Sequence, residues 1–306
     1  MKNVKDDGLN TAGKSRFENL GIHLFLALVA FCCLIPFVLV LIVSLSSETA
    51  VSLNGYSFFP EEWSLDAYKY IFTNPTTVVR GYGVTIFVTL VGTITSLFLG
   101  SMIAYTMSKK DYPYRKALNF YVFFTMLINA GLVPTYMAYT SLFHIKNTIW
   151  ALLLPGMLLS AWNIIIMRTY FTTSIPDALT ESAYLDGAGE FTTFFKIVLP
   201  LSKPILGAVG FMVALAYWNN WYNSMVYISN KELYSLQYIM TKTLLDIQSL
   251  KSMTELTSEM KEALGAMPTE TIRMAMAVVG AGPMLVAFPF FQKYFVKGIT
   301  VGSVKG

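Results

Sequence analysis

The chain has 306 residues, of which 55% are apolar and only 13% are charged, and its mean hydropathy is +0.54. An ordinary soluble domain carries about 25% charged residues, so this composition excludes a typical water-soluble protein and favours a chain that lies mostly in lipid. The net charge of +4 gives no indication of nucleic-acid binding, and the adjacent Cys32 and Cys33 lie in an apolar run where no disulfide framework is expected.

The N-terminal arm, residues 1–19, contains a segment that matches the letters of a phosphate-binding loop, Gly8–Ser15. Such a loop needs a buried strand before it and a helix after it, so that its amides converge on phosphate. Only seven residues precede the segment and a membrane helix follows almost at once, so no sheet can form. We therefore expect a disordered basic arm at the membrane surface, in a chain that does not itself hydrolyse ATP.

Six long apolar runs follow, and each has about 20 residues or more, enough for a helix to cross a hydrocarbon core about 30 Å thick. Helices are expected because backbone groups in lipid must be satisfied within the segment. The first run is too long for a signal peptide and is interpreted as a retained helix. The predicted fold is an all-α polytopic membrane protein with six transmembrane helices, at 20–45, 83–107, 117–141, 147–171, 203–228 and 274–296.

The distribution of charge predicts the orientation of these spans. If both termini are cytoplasmic, the inner segments hold 14 Lys and Arg residues and a net charge of +6. The outer segments then hold 8 Lys and Arg residues and a net charge of −2. Basic residues concentrate on the cytoplasmic side of membrane proteins, and the short loop Lys109–Lys116 is the strongest single indicator here. Cytoplasmic N- and C-termini are therefore predicted.

The second span carries small residues four positions apart, at Gly92, Ser96, Gly100 and Ala104. Such a stripe lets neighbouring helices approach closely, and its expected role is packing within a compact bundle.

The loop between the fourth and fifth spans, 174–200, has an unusual pattern. Pro176 and Asp177 suit the first turn of a helix, which is expected to run to about Asp186, and glycines at 187 and 189 permit a sharp bend. A second short amphipathic piece, 190–197, precedes Pro200. The predicted result is a helical pair at the inner membrane face, with a small-residue surface on Ala183 and Ala188 for a closely approaching partner. An interfacial helix that merely lies among lipid headgroups fits the physics equally well.

The same loop satisfies the pattern Glu-x-Ala-x-x-x-Gly, nine residues, Ile-x-Leu-Pro at Glu181, Ala183, Gly187, Ile197, Leu199 and Pro200. This pattern resembles the signature of binding-protein-dependent (type I) ABC importer permeases, in which the loop is a coupling helix held in a cleft of the ATPase subunit. Ser182 stands where many members have a second alanine, and a small serine is expected to preserve docking. The resemblance implies ATPase-docking residues at Glu181, Ser182, Ala183, Asp186, Gly187, Ala188, Gly189, Leu199 and Pro200, with ATP and Mg²⁺ on the partner ATPase subunits and no cofactor or metal on this chain.

The fifth span contains an aromatic and amide cluster that suits a carbohydrate path. On a continuous helix Trp218, Trp221 and Tyr222 would share one face, and Asn219 and Asn223 another. Flat rings cover the apolar faces of sugars and amides bridge hydroxyl groups, but an aromatic belt with interhelical amide bonds is the competing interpretation. Weaker path candidates are Asn129 in the third span and Asn163 in the fourth.

Two further segments complete the chain. The outer loop 229–273 is expected to contain a solvated helix at 255–263 and, by the family resemblance, to contact an extracellular binding protein. The C-terminal tail, 298–306, follows the permease domain assigned to 20–297. With Lys297 it is similar to the ending of the maltose-permease-like carbohydrate subfamily, which implies that Lys297, Gly298, Gly302, Lys305 and Gly306 reach towards the ATPase subunits.

The leading hypothesis is therefore the permease subunit of an ATP-driven carbohydrate importer in the prokaryotic cytoplasmic membrane. Its implied partners are a second homologous permease, favoured as a heterodimer, two ATPase subunits and an extracellular solute-binding protein. An importer of a non-sugar solute is the main alternative. A membrane enzyme lacks a readable metal cluster or nucleophile–base set, and a secondary transporter would need intramembrane charges that the predicted spans lack.

Overall fold

A computed structural model describes residues 16–252 and 269–302, and within these ranges the secondary structure is helical, with no strand. One isolated antiparallel bridge joins Ser46 to Trp63. The predicted all-α architecture is confirmed for the part of the chain that is described.

The helices are numbered here in chain order. They are α1 (Arg16–Ser44), α2 (Glu48–Asn54), α3 (Asp66–Ile71), α4 (Pro75–Ser108), α5 (Arg115–Leu127), α6 (Leu132–Met137), α7 (Trp150–Leu153), α8 (Ala161–Ser174), α9 (Asp177–Leu185), α10 (Glu190–Thr193), α11 (Leu199–Leu201), α12 (Lys203–Trp218), α13 (Tyr222–Tyr227), α14 (Leu236–Ser252) and α15 (Glu270–Gly302). Single π-helical turns extend α6 and α10, at Ala138–Leu142 and Phe194–Val198, and a 3₁₀ turn lies at Lys231–Leu233.

The described residues form two compact units. The first unit combines 16–70 with 269–278, and the second combines 71–252 with 279–302. The helix α15 therefore contributes its first residues to one unit and the rest to the other.

In the first unit, a carboxylate from α2 caps the N-terminus of α15. The side chain of Glu48 accepts hydrogen bonds from the backbone amides of Glu270 and Thr271 at 3.0 and 2.9 Å, and from Thr271 Oγ1 at 2.7 Å. The first amides of a helix have no partner within the helix, and the positive end of the helix dipole favours an anion. Burial disfavours the charged form of Glu48, but these hydrogen bonds outweigh burial and hold the pKa of the carboxyl below its ordinary value.

In the second unit, α4 is the central helix, and its predicted small-residue stripe lies at the helix contacts. Gly92, Ser96, Gly100 and Ala104 are all buried. A Cβ atom added at Gly92 would lie 2.5 Å from Cζ of the Tyr217 ring in α12, and one added at Gly100 would lie 2.9 Å from Cε of Met167 in α8. Both distances are shorter than real contacts allow, so an added side chain would require the Tyr217 ring or the flexible end of Met167 to shift. The predicted packing role of the stripe is confirmed.

Three unbroken helices are long and apolar enough to cross a membrane, and they correspond to the predicted first, second and sixth spans. They occupy Leu20–Ser44, Pro75–Ser108 and Glu270–Gln292. Two bent helix pairs pass the same test when each is taken together, so the described residues offer up to five spans. These pairs are Arg115–Leu127 with Leu132–Leu142, and Glu190–Leu201 with Lys203–Trp218. The six-span count and the cytoplasmic termini stay predictions.

The predicted third span, 117–141, is not one continuous helix, because α5 and α6 meet at an angle of 116°. Asn129 lies in the break, and its Oδ1 accepts a hydrogen bond from the Gly131 amide at 2.9 Å. Gly131 has a φ of +81°, in the left-handed region that does not continue a right-handed helix. Side chain–backbone bonds of this kind compete with helix formation, and a run of apolar residues does not reveal them.

The predicted fourth and fifth spans are also interrupted. In 147–171 the helices α7 and α8 are separated by a segment that contains Pro155 and Gly156, and the latter has a φ of +71°. In 203–228 the helix α12 ends at Trp218, and α13 begins at Tyr222. The expectation of one continuous helix is wrong for both runs.

The predicted outer loop, 229–273, contains a helix, α14, that packs against the second unit. In α14, Leu236, Met240 and Ile247 are buried, and the amide of Leu236 donates to Thr85 Oγ1 of α4 at 2.9 Å. The predicted solvated helix at 255–263 lies outside the described residues.

Candidate functional site

The loop between α8 and α12 folds as the predicted helical pair. The first helix, α9, begins at Asp177, and Pro176 precedes it in extended conformation instead of lying in its first turn. Thr180 Oγ1 donates to the Asp177 carbonyl at 2.8 Å within the first turn of the helix. The segment 174–200 is called the coupling loop below.

The bend at the end of α9 is a Schellman motif. Gly187 has a φ of +81°, a backbone conformation that residues with a side chain rarely adopt. Its amide donates to the Tyr184 carbonyl at 3.0 Å, and the Ala188 amide donates to the Ala183 carbonyl at 2.9 Å. These two bonds are the pair that defines the motif and that satisfies carbonyls at a helix end. The predicted bend at Gly187 is confirmed, while Gly189 has an ordinary φ of −78°.

The residues predicted to dock an ATPase are not all on the surface of the coupling loop. Those exposed are Glu181, Ser182, Asp186, Gly187, Gly189 and Pro200, whereas Ala188 and Leu199 are half-buried. Ala183 is only 8% exposed, so the predicted small-residue surface on this alanine is wrong for the single chain. Its methyl group lies inside because helix α9 turns this face inward. The side chain that stands out is Leu185, which is 89% exposed and was absent from the sequence prediction.

A cluster of four polar side chains joins the coupling loop to the end of α4: Tyr105, Lys109, Tyr184 and Glu190. It is called the Lys109 cluster. The ammonium of Lys109 donates to the Tyr184 hydroxyl and lies 3.2 Å from Glu190 Oε2. The Tyr105 hydroxyl donates to the same carboxylate oxygen at 3.1 Å. Lys109 Nζ also lies 4.8 and 4.5 Å from the ring centroids of Tyr105 and Tyr184, within cation–π range.

A second ion pair joins the same two regions at the surface. Lys110 Nζ lies 2.6 Å from Asp177 Oδ2, at the start of α9. The hydrogen bond that Lys110 donates to the Asp177 carboxylate raises the pKa of Lys110 above its ordinary value. Both side chains are more than 60% exposed, so solvent and salt weaken the interaction strongly.

A cavity of about 450 Å³ lies beside the Lys109 cluster. Aromatic and apolar side chains make up most of its wall, with a few polar groups among them. It is lined by Met102, Tyr105, Thr106, Lys109, Asp111, Tyr112, Pro113, Tyr184, Glu190, Phe191 and Phe194.

The aromatic and amide cluster predicted as a substrate path is divided by the break between α12 and α13. Trp218 is 4% exposed, and its Nε1 donates to the Gly280 carbonyl at 2.7 Å. Asn223 is also buried, and its Nδ2 donates to the Pro155 carbonyl at 3.2 Å. Both side chains thus make packing contacts between segments of the second unit. Because the helix is broken between Trp218 and Tyr222, the prediction that these residues share the faces of one continuous helix is wrong.

The remaining path candidates are more accessible. Trp221 and Tyr222 are 38% and 40% exposed, and their rings meet edge to face at a centroid distance of 6.1 Å. Asn219 is exposed, and its Nδ2 donates to the Leu215 carbonyl at 3.0 Å. Asn129 is exposed in the break after α5, and Asn163 is half-buried in the first turn of α8.

The predicted C-terminal tail begins later than expected, because α15 continues to Gly302. Lys297, Gly298 and Gly302 therefore belong to the helical backbone, and Lys305 and Gly306 lie outside the described residues.

Comparison with known proteins identifies the family. The family described as binding-protein-dependent transport system inner membrane component matches residues 96–301, more than half of the chain. The chain is 37% identical over 295 residues to the polygalacturonan/rhamnogalacturonan transport system permease protein YtcP of Bacillus subtilis (strain 168), covering 96% of this chain and 100% of that protein. It is 35% identical over 285 residues to Protein LplC of the same organism, covering 92% and 93%.

A solved structure shows the same fold. A crystal structure of a bacterial ABC transporter involved in the import of the acidic polysaccharide alginate includes a chain that matches with a TM-score of 0.75 and 31% identity. The match covers 93% of this chain and 100% of that chain. With the bend at Gly187 in place within the signature loop, the chain belongs to the family of binding-protein-dependent transport system inner membrane components.

Proposed function

We propose that this chain is the permease subunit of an ATP-driven importer that carries an oligosaccharide across the prokaryotic cytoplasmic membrane. The observation that carries the proposal is the fold of the coupling loop. Its Schellman bend at Gly187 ends the largely exposed helix α9, and both lie within the segment that matches the family. The names of similar proteins support a class of solute for the proposal, since they mention polygalacturonan, rhamnogalacturonan and alginate. An oligosaccharide that contains uronic acids is therefore the first solute to test.

In the proposed complex the chain pairs with a second, homologous permease. Two ATPase subunits hold ATP and Mg²⁺, and an extracellular binding protein delivers the solute. The helix α1 supports such an arrangement, because its apolar side chains are almost all exposed in the single chain and suit lipid or a neighbouring membrane helix. ATP binding brings the coupling loops together and turns the bundle from inward- to outward-facing, and ATP and the loaded binding protein supply contacts that differ between the two states. Differential contacts of this kind are what a two-state switch requires.

For the path itself, we propose Trp221 and Tyr222 as solute contacts. Their rings are exposed next to the break between α12 and α13, where the chain also presents the amide of Asn219. Trp218 and Asn223 instead hold that break in place through their bonds to backbone carbonyls.

Purification of the tagged chain from its native membrane tests the proposal. A second permease and an ATPase subunit are expected to co-purify. Proteoliposomes of the complex, supplied with the binding protein, are expected to take up galacturonate oligosaccharides only when ATP is enclosed with the ATPase. Uptake that needs an ion gradient and no ATP would contradict an ATP-driven importer, and preference for a neutral maltodextrin would change the solute class.

A further inference from the structure

The coupling loop has two arms, α9 before the Gly187 bend and the α10 segment after it, and one lysine touches both. Lys109 donates to Tyr184 on the first arm and pairs with Glu190 on the second, at 3.2 Å. Tyr105, one helical turn before Lys109 on α4, donates to the same Glu190 carboxylate at 3.1 Å and lies 3.4 Å from the Tyr184 hydroxyl. The angle between the two arms is thus defined relative to α4 by a single set of bonds.

The second arm also packs against α4 below the Lys109 cluster. The rings of Tyr105 and Phe194 lie 5.2 Å apart, and those of Phe98 and Phe195 are stacked at 6.3 Å. Farther along α4, a Cβ atom added at Gly92 would meet the Tyr217 ring of α12, and one added at Gly100 would displace the flexible end of Met167 in α8. A series of contacts therefore runs from the coupling loop along α4 to Tyr217, next to the break between α12 and α13.

We propose that Lys109 is the positioning residue that transmits movement of the coupling loop to α4. The inference rests on the proposed function, since the movement comes from the ATPase. A displaced loop carries Tyr184 and Glu190 with it, and both pull on the same ammonium group. The Glu190 side chain is 63% exposed, but that of Lys109 is only 21% exposed and lies against two aromatic rings, so the ammonium group itself is partly shielded from water. The rigid α4 then moves the helices packed on its small-residue stripe.

The neighbouring lysine provides a matched control. Lys110 pairs with Asp177 at 2.6 Å, but both side chains are more than 60% exposed, and the contact involves the first arm alone. Loss of this pair leaves the bend and the second arm attached to α4. The two lysines therefore have the same charge and adjacent positions but different expected effects.

The experiment compares Lys109→Met with Lys110→Met in the complete complex, reconstituted with its ATPase and binding protein. Uptake and ATP hydrolysis are measured in the same proteoliposomes. For Lys109→Met, the number of ATP molecules hydrolysed per solute imported is expected to rise roughly threefold to tenfold, while the ATPase subunits stay bound. For Lys110→Met the ratio is expected to change by less than about twofold. Lys109→Arg is expected to restore most of the coupling, since it keeps the charge and the donors.

A charge exchange gives a second, independent variant. Lys109→Glu alone is expected to uncouple the complex, and adding Glu190→Lys is expected to recover part of the normal ratio. An unchanged ratio in Lys109→Met, equal effects at the two lysines, or loss of the ATPase from Lys109→Met would overturn the inference. Absence of ATP-dependent uptake in the unmodified complex would overturn the proposed function instead, so the two failures are distinguishable.

Discussion

The helix contacts around α4 and the contacts at helix ends are stabilised by different kinds of interaction. Around α4, helices approach because side chains are missing, as at Gly92 and Gly100, and the contact is a matter of shape. At the coupling loop, and in the first unit at the start of α15, the chain is held by hydrogen bonds to charged groups, as at Lys109 and Glu48. In lipid the shape of a helix surface carries specificity, whereas at the wet ends bonds to charges do so.

The sharpest way to break the interior contact is Gly92→Leu. The added side chain meets the Tyr217 ring, which is buried and donates to the Leu153 carbonyl at 2.9 Å, so the ring has no free direction to move. We expect a loss of about 3 kcal/mol or more in the free energy of unfolding, measured by denaturation in detergent. Gly83→Leu on the same helix is the control, because nothing lies within 4 Å of a Cβ atom there. Equal stability of the two variants would contradict the packing role of the stripe.

A smaller effect is expected when the cap of α15 is removed by Glu48→Gln. The variant keeps the size of the side chain but loses its charge, and we expect a loss of about 1–2 kcal/mol in the free energy of unfolding at pH 7. Because the pKa of Glu48 is lowered on folding, its stabilisation is complete above its ordinary value of 4.5 and is lost as the pH falls through the folded pKa. The difference between the unmodified chain and Glu48→Gln should therefore be constant from pH 7 to 5 and shrink below that range. Glu61→Gln, at an exposed site, is expected to change little.

A still smaller loss in the free energy of unfolding, about 1 kcal/mol, is expected for Gly187→Ala, because a φ of +81° is unfavourable for any residue with a Cβ atom. The spans are expected to stay folded, while uptake falls relative to ATP hydrolysis because the α9 surface is presented at a different angle. Gly83→Ala is the control, because this glycine lies outside the coupling loop, has no positive φ and has nothing within 4 Å of an added Cβ atom. Normal coupling in Gly187→Ala and in a bulkier Gly187→Val would contradict a docking role for the bend.

The smallest effect on stability is expected at the exposed rings, since Trp221→Ala removes a side chain that is 38% exposed. We expect less than about 0.5 kcal/mol in the free energy of unfolding. Uptake is expected to slow severalfold while basal ATP hydrolysis persists, because a ring that stacks on a sugar contributes about 1 kcal/mol or more of contact energy. The control is Trp150→Ala, an exposed tryptophan outside the predicted path. Equal uptake by the two variants would assign Trp221 to the aromatic belt.

Much of the helical interior and of the bend could be predicted from the sequence, because each depends on residues close together in the chain. The four-residue spacing of Gly92 to Ala104 and the position of Gly187 are local signals of this kind. The breaks at Asn129 and after Trp218 were missed, because apolar composition does not show a side chain that bonds to nearby backbone. The Lys109 cluster was missed for another reason. Its members are up to 85 residues apart, and only the packing of the second arm on α4 brings Glu190 to Tyr105.

The bond between Glu48 and the start of α15 has a consequence for how the protein is made. Its two partners are separated by 222 residues, so the carboxylate leaves the ribosome long before the amides that it binds. At roughly 5–20 residues per second, the wait between the two is on the order of 10 to 45 seconds. The first unit can therefore close only after nearly the whole chain has entered the membrane. A nascent chain that stops before residue 270 leaves the Glu48 carboxylate without the amides that it binds in the finished protein.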